Sequence, residues 1–208
     1  MPNFEHEIEA RQQFGSIIAG IDEAGRGPLV GSVFAAAVVL PQNFSEPMLD
    51  DSKKLSEKKR DYLYERITQD PDIAWAVASV NAQKIDEINI LQATHLAMRT
   101  AAATLLEKLP EIHGFLIDGS PVKTFPYPNQ NLVKGDSKSL SIAAASIIAK
   151  VSRDEEMYAL DRKHPEYGFA QHKGYGTKAH MAALNAHGLC AEHRLSFAPC
   201  RKIAEGQG

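Results

Sequence analysis

Three short apolar runs in this chain each leave through an acidic residue: "GSIIAGID" (15–22), "GFLIDG" (114–119) and "QNLVKGD" (130–136). Such runs, closed by Gly, Asp or Asn, read as buried strands. Two more, "SVFAAAVVL" (32–40) and "IAWAVASV" (73–80), lie between the first and second, and three early strands in a row suggest an antiparallel meander. Between 82 and 109, Ile85, Ile88, Leu91, Leu96, Ala102, Leu105 and Leu109 recur near helical spacing and stop at Pro110. That pattern predicts one long helix on the sheet. A second helix is predicted over "SLSIAAASIIAKVSRDEEMYAL" (139–160). The order strand, helix, strand, strand, helix implies an α/β fold with a mixed sheet, parallel in part and flanked by helices.

The chain has 208 residues, 44% of them hydrophobic, which suits one domain over 1–208. Residues 162–200 hold five of the eight histidines and read as a small C-terminal helical appendage, with 201–208 as a loose tail. Glu5, Glu7 and Glu9 near the start oppose a cationic leader, and no apolar run approaches membrane-spanning length, so a cytoplasmic protein is expected. Cys190 and Cys200 are expected to be reduced thiols. A formal charge of −3 argues against coating nucleic acid through bulk charge but leaves room for a local basic groove.

Successive strand side chains face opposite ways, so Asp22 and Glu23 are expected to converge only where their strand ends. Asp118 closes "GFLID", and Asp136 follows "NLVKG" just before a helix. Each has a plainer reading. Asp118-Gly119 could be a turn, Asp136 a helix cap, Glu23 a surface residue and Asp154 an i,i+4 partner of Lys150. Together, acids from separate strands gathered at one sheet edge repel unless a hard divalent cation neutralises them, and an all-oxygen set suits Mg²⁺ or Mn²⁺.

The glycine-rich "GRGPLVG" after the first strand is not a dinucleotide fingerprint, because Pro28 leads into another strand-like run and not a helix. Gly25 and Gly27 around Arg26 instead let main-chain groups approach a ligand, with a guanidinium alongside for phosphate. A purely structural tight turn is the alternative.

"DEAGRGP" (22–28), "DSKKLSEKKR" (51–60), "IDGS" (117–120), "KGDSKSLSIAAASIIAKVSRD" (134–154), "HKGYGT" (172–177) and "HRLSF" (193–197) together resemble bacterial ribonuclease HII, in order over about Ile17 to Phe197. The resemblance implies a ribonuclease H-like fold and a two-ion Mg²⁺ or Mn²⁺ site on Asp22, Glu23, Asp118 and Asp136. It implies that Gly25-Arg26-Gly27 contacts the ribonucleotide and its 2′-OH, and that Tyr175 stacks on the next deoxyribose. The implied activity is cleavage of the RNA strand of RNA/DNA hybrids. The implied second activity is cleavage 5′ of single ribonucleotides in duplex DNA, leaving 5′-phosphate and 3′-hydroxyl ends, by a monomer. Ribonuclease HIII-like relatives carry an additional N-terminal domain and a different residue set after the acids.

Lys53 and Lys54 are the basic residues best placed to follow phosphates, whereas Lys58, Lys59 and Arg60 fit a solvated helix face equally well. His187, Cys190, His193 and Cys200 lack the close cysteine pair of a structural zinc site. Two rivals are a non-catalytic binding module, which the acids oppose because they would repel phosphate, and another metal-dependent nuclease such as a junction resolvase.

Overall fold

Side chains alternate along β2 (Val33–Val39), and that alternation sets the layers of the computed structural model, which describes residues 1–206. Val33, Ala35 and Ala37 pack toward α3 (Ala82–Lys108), whereas Ala36 and Val38 pack toward α4 (Leu140–Lys163). A sheet covered on both faces needs apolar residues on both, and the run of alanines keeps the layers close.

β1 (Ile18–Ala24), β2 and β3 (Ala74–Val80) form the expected antiparallel meander, with α2 (Glu57–Thr68) inserted before β3. β4 (Gly114–Asp118) pairs parallel to the other side of β1, and β5 (Asn129–Leu132) parallel to β4. The sheet order is β3-β2-β1-β4-β5. Helix α4 crosses β1 so closely that a Cβ on Gly20 would lie 2.2 Å from the backbone of Ser141.

Three differences from the sequence reading have physical causes. The long helix is broken at Asn89, whose φ of 65° lies in the left-handed region and whose Oδ1 accepts from the Gln92 N–H at 3.1 Å, capping the second segment. An N-terminal helix, α1 (Glu5–Phe14), occupies the acidic start, for which the sequence pattern predicts no element. Its Glu7 is buried against the start of α4, accepting at Oε1 from Ser139 Oγ (2.6 Å), Ser141 N–H (2.9 Å) and Ser141 Oγ (2.7 Å). A carboxylate there answers the unpaired amides and the partial positive charge of a helix N-terminus.

The third difference is the tail. α7 (Ala198–Ala204) carries helix into the segment expected to be loose, because Cys200 is fully buried and Ile203 packs beside it. Residues 207–208 of that expectation lie outside the described residues. With α5 (Phe169–His172) and α6 (Lys178–His187), α7 buries a cluster of Tyr167, Phe169, Leu184 and Cys200 against Leu29, Val30 and Met157. Leu29 and Val30 belong to the glycine-rich loop, so the appendage grips the stretch that follows the first acids. Both cysteines are free thiols. Among the described residues no helix is long and apolar enough to cross a membrane.

Candidate active site

β1 ends on one side only. Its ladder with β4 stops at Ile21, opposite Ile117, while its ladder with β2 continues to Ala24, opposite Phe34. Asp22 and Glu23 therefore converge without the strand having ended: with no partner on the β4 side, both can turn over the vacant edge. Asp118, the last residue of β4, meets them there. Asp22, Glu23 and Asp118 offer carboxylate oxygens that all lie within 4.8 Å of one another.

Each acid is held. Asp22 Oδ1 accepts from the Glu23 N–H at 2.7 Å, Glu23 Oε1 from Arg26 Nη1 at 3.2 Å, and Asp118 Oδ1 from the Gly135 N–H at 2.6 Å. Burial, and then the charges of Glu23, Asp118 and Asp136, push the Asp22 carboxyl well above the usual carboxylate range. Burial also raises Glu23, with Arg26 pulling the other way. Three crowded carboxylates, the buried Asp22 and the half-buried Glu23 and Asp118, with Asp22 and Glu23 both resisting ionisation, are a fit receptor for a hard divalent cation, which supplies the missing positive charge.

Asp136 stands beside this trio without belonging to its tight group. β5 closes at Leu132, Lys134 takes a left-handed turn (φ 57°), and Asp136 sits buried in the 3₁₀ turn Gly135–Ser137. It does not cap α4: Ser139 does, accepting from the Ile142 N–H at 3.2 Å. Asp136 Oδ2 lies 3.7 Å from Lys53 Nζ. Burial, then Asp51 and Asp118, raise the Asp136 carboxyl. Burial disfavours the charged Lys53, but Asp22 and Asp136 outweigh it and leave its pKa raised.

Two cavities of about 180 Å³ adjoin the trio. One is lined by Asp22, Glu23, Gly25, Arg26, Gly27 and Tyr175, with the cations Lys53, Lys150 and Arg153. The other is bordered by Glu23, Arg26, Leu91, His95, Asp118 and Ser120. A third, about 500 Å³, joins Asp118 and Asp136 to Lys53, Lys54 and Lys134. Shared residues make one groove of the three, acids in the middle and cations along it. Lys53 borders two of them, whereas Lys54 is engaged by Asp50, its Nζ 2.9 Å from Oδ1.

Gly25 has φ 95°, which only glycine adopts freely, and a Cβ there would meet Ser32 O at 2.9 Å. Gly27 faces the Tyr175 ring: an added Cβ would lie 3.3 Å from Cε1. Tyr175 is half exposed, and its carbonyl accepts from His180 Nδ1 at 3.0 Å. Since Nδ1 of His180 donates, its Nε2 must accept, and the partner 3.1 Å away is Nε2 of buried His193. His193 Nδ1 in turn accepts from the Cys190 N–H at 3.0 Å. The appendage thus reaches the Tyr175 turn through two neutral histidines.

All ten residues singled out in the sequence line or adjoin this groove. The sequence reading missed Lys150, Arg153 and Arg194. Lys150 shows as the expected i,i+4 partner of Asp154 (2.5 Å), while the buried arginines carry no local pattern. In the appendage, Cys190 approaches His164 and Glu192 within 4.8 Å, without His187, His193 or Cys200 in the group, and Lys163 Nζ already lies 2.5 Å from Glu192.

A mixed sheet with acids at the ends of adjacent parallel strands and helices on both faces defines the ribonuclease H-like class of nucleases. A family model described as ribonuclease HII matches residues 19–200, so the chain belongs to the ribonuclease HII family, the type 2 ribonucleases H. Ribonuclease HII of Neisseria meningitidis serogroup A is 53% identical over 192 residues, covering 92% of this chain and 97% of the relative. That of Aliivibrio salmonicida is 49% identical, covering 98% and 94%. Ribonuclease H2 from Pyrococcus horikoshii superposes with a TM-score of 0.75 at 25% identity, covering 92% of this chain and 99% of that one. Bst-RNase HIII, solved with Mn²⁺, shares the fold with a TM-score of 0.74 at 21% identity, covering 95% and 72%. The protein is a nuclease of a family that acts on RNA/DNA hybrids with divalent metal ions.

Proposed function

We propose that this enzyme, besides cutting the RNA strand of RNA/DNA hybrids, cuts duplex DNA on the 5′ side of a single embedded ribonucleotide. It leaves 5′-phosphate and 3′-hydroxyl ends and serves ribonucleotide removal from DNA, as a monomeric, single-domain cytoplasmic protein. The observation that carries this reading is a sugar-sized cavity lined by Gly25-Arg26-Gly27 and Tyr175 together with Asp22 and Glu23 of the acid trio.

Asp22, Glu23 and Asp118, with Asp136 beside them, would hold Mg²⁺ or Mn²⁺ ions. When bound, such ions activate water and stabilise the leaving 3′-oxygen in an in-line displacement at phosphorus. The P–O3′ bond breaks, a new P–O bond forms from water, and the leaving oxygen takes a proton. The protein's own groups position the strand. Lys53 neutralises phosphate at the border of two cavities, Lys54 can add to it by releasing Asp50, and the loop backbone meets the ribose. Main-chain reading of a 2′-OH tells RNA from DNA whatever the base. Tyr175 offers a ring face to the following sugar, packed too closely for a second 2′-OH.

The deciding experiment incubates the protein with three labelled duplexes, one all DNA, one with a single ribonucleotide and one an RNA/DNA hybrid, each with Mg²⁺, Mn²⁺ or EDTA. Cleavage of the second on the 5′ side of the ribonucleotide, dependent on metal and absent from the first, is expected. Cleavage of the hybrid alone would reject the single-ribonucleotide reading.

A further inference from the structure

Arg194 is fully buried, and all five N–H groups of its guanidinium end on main-chain carbonyls of one loop. Nε donates to Gly31 O (2.9 Å). Nη1 donates to Arg26 O (3.2 Å) and Pro28 O (2.8 Å), and Nη2 to Gly25 O (2.7 Å) and Ser32 O (3.0 Å). Arginine carries five donors in a rigid planar fork and no acceptor, so nothing of its hydrogen-bonding capacity is left over. The Phe197 ring, 5.2 Å from the guanidinium carbon, covers it. Burial and the nearby charge of Arg153 pull its pKa to about 10, so it stays protonated at neutral pH.

A buried cation answered only by carbonyls is a costly way to secure a surface turn. What it sets is peptide orientation. In a planar trans peptide the C=O and the following N–H point in opposite directions. With Gly25 O and Arg26 O drawn to the guanidinium, the N–H groups of Arg26 and Gly27 point away from it, and both residues line the cavity beside the acids. The same geometry is visible further along. Pro28 O is held by Arg194, and the Leu29 N–H on the opposite side donates to Gly174 O at 2.8 Å, in the turn that carries Tyr175. Gly31 O is held likewise, and the Ser32 N–H donates to Glu156 at 2.8 Å.

We infer that Arg194 is a positioning residue for ribose recognition: it holds the loop carbonyls inward so that Arg26 and Gly27 present N–H donors to the 2′-oxygen. The segment around it supports this, since Arg194 N–H donates to Leu29 O (2.8 Å) and Gly31 N–H to Glu192 O (2.9 Å). The inference rests on the reading of this loop as the ribose sensor given above.

The test compares wild type, Arg194→Lys and Arg194→Gln. Three quantities are measured: amide exchange of residues 25–32 in the full chain, calorimetric Mn²⁺ affinity, and kcat/KM on single-ribonucleotide and hybrid substrates. Lysine keeps the charge with fewer donors, and it carries the measurement if the Gln variant fails to fold. Faster exchange confined to 25–32 is expected, with Mn²⁺ affinity retained. Misplacing a recognition group by ~1 Å can cost about a hundredfold, and a loss of kcat/KM of that order is expected. Unchanged exchange in 25–32 would overturn the clamp. Faster exchange with unchanged kcat/KM, or a matching loss of Mn²⁺ affinity, would overturn the positioning role. If wild type failed to prefer the ribonucleotide duplex over all-DNA duplex, the sensor reading itself would fall, and the exchange data would still show whether Arg194 orders the loop.

Discussion

Asp22 and Asp118 sit side by side just past the parallel ladder between their strands, which stops one residue earlier, at Ile21 and Ile117. Among the described residues neither acid forms an ion pair: Arg26 pairs with Glu23, and Lys53, whose charge reaches Asp22, lies nearest Asp136.

Asp22→Asn should therefore abolish cleavage yet raise the stability of the metal-free protein. The folded-state pKa of Asp22 is raised above its ordinary value. Folding is thus favoured where the acid is protonated and loses that advantage as pH rises through the raised pKa, so near neutrality the ionised group opposes folding. Asparagine keeps an oxygen for the Glu23 N–H and removes the charge. Thermal unfolding in EDTA should show a higher Tm for the variant, and adding Mn²⁺ should raise the wild-type Tm more than the variant's. Retained activity in a folded variant at saturating Mg²⁺ would sink the assignment.

Asp136→Asn should also lose activity, with little change in stability. The plainer reading of Asp136 as a helix cap fails on geometry, since Ser139 accepts the capping bond. Ser139→Ala supplies the contrast: it removes the cap and one donor to Glu7, and should cost about 1–2 kcal/mol. Urea unfolding and initial rates on the two variants should show opposite patterns. An Asp136→Asn enzyme that cleaves normally would remove this residue from the metal site.

Much of this site was legible in the sequence because its acids and glycines are local signals: an acid closing an apolar run, and glycine where the chain turns. Asp22 and Asp118 could be placed at one sheet edge from the acids that close their apolar runs, although β1 itself runs on to Ala24 along β2. What could not be read is long-range complementarity. Glu7 looked like part of an acidic start, but it closes the N-terminus of α4, more than a hundred residues away. Arg194 has no periodic partner, because its acceptors are carbonyls, which every residue has. The break at Asn89 was hidden by apolar spacing that runs through it, although its capping amide was a visible hint.

Acid should loosen the appendage before the sheet. His193 is pulled down to about 4 by burial and by His180 beside it, below the ordinary 6.5 of histidine. A depressed histidine contributes stability that is full above pH 6.5 and is lost as pH falls toward 4, because the unfolded chain takes up the proton first. Each pKa unit is about 1.4 kcal/mol, so the loss across this window is on the order of a few kcal/mol. Stability by urea unfolding should fall between pH 7 and 4.5 in wild type and fall less in His193→Asn, whose amide oxygen can still accept from the Cys190 N–H. Parallel slopes in the two proteins would show that this histidine does not govern the acid response.

Tyr175 tests the recognition surface directly. Its carbonyl is fixed by His180 and its ring edge lies over Gly27, which leaves half the side chain exposed beside the cavity. On the function proposed above, a ring so placed would pack on the sugar that follows the ribonucleotide and would leave no space for a second 2′-OH. Tyr175→Ala should therefore cost more kcat/KM on a single-ribonucleotide duplex than on a hybrid with a long RNA strand, narrowing the preference between them. Stacking on an aromatic side chain contributes about 1–3 kcal/mol, so the loss on the first substrate should be roughly tenfold to a hundredfold. Tyr175→Phe should be milder on both, because stacking uses the ring face and not the hydroxyl. Equal losses on the two substrates would make Tyr175 general scaffolding and return the junction preference to Gly25-Arg26-Gly27.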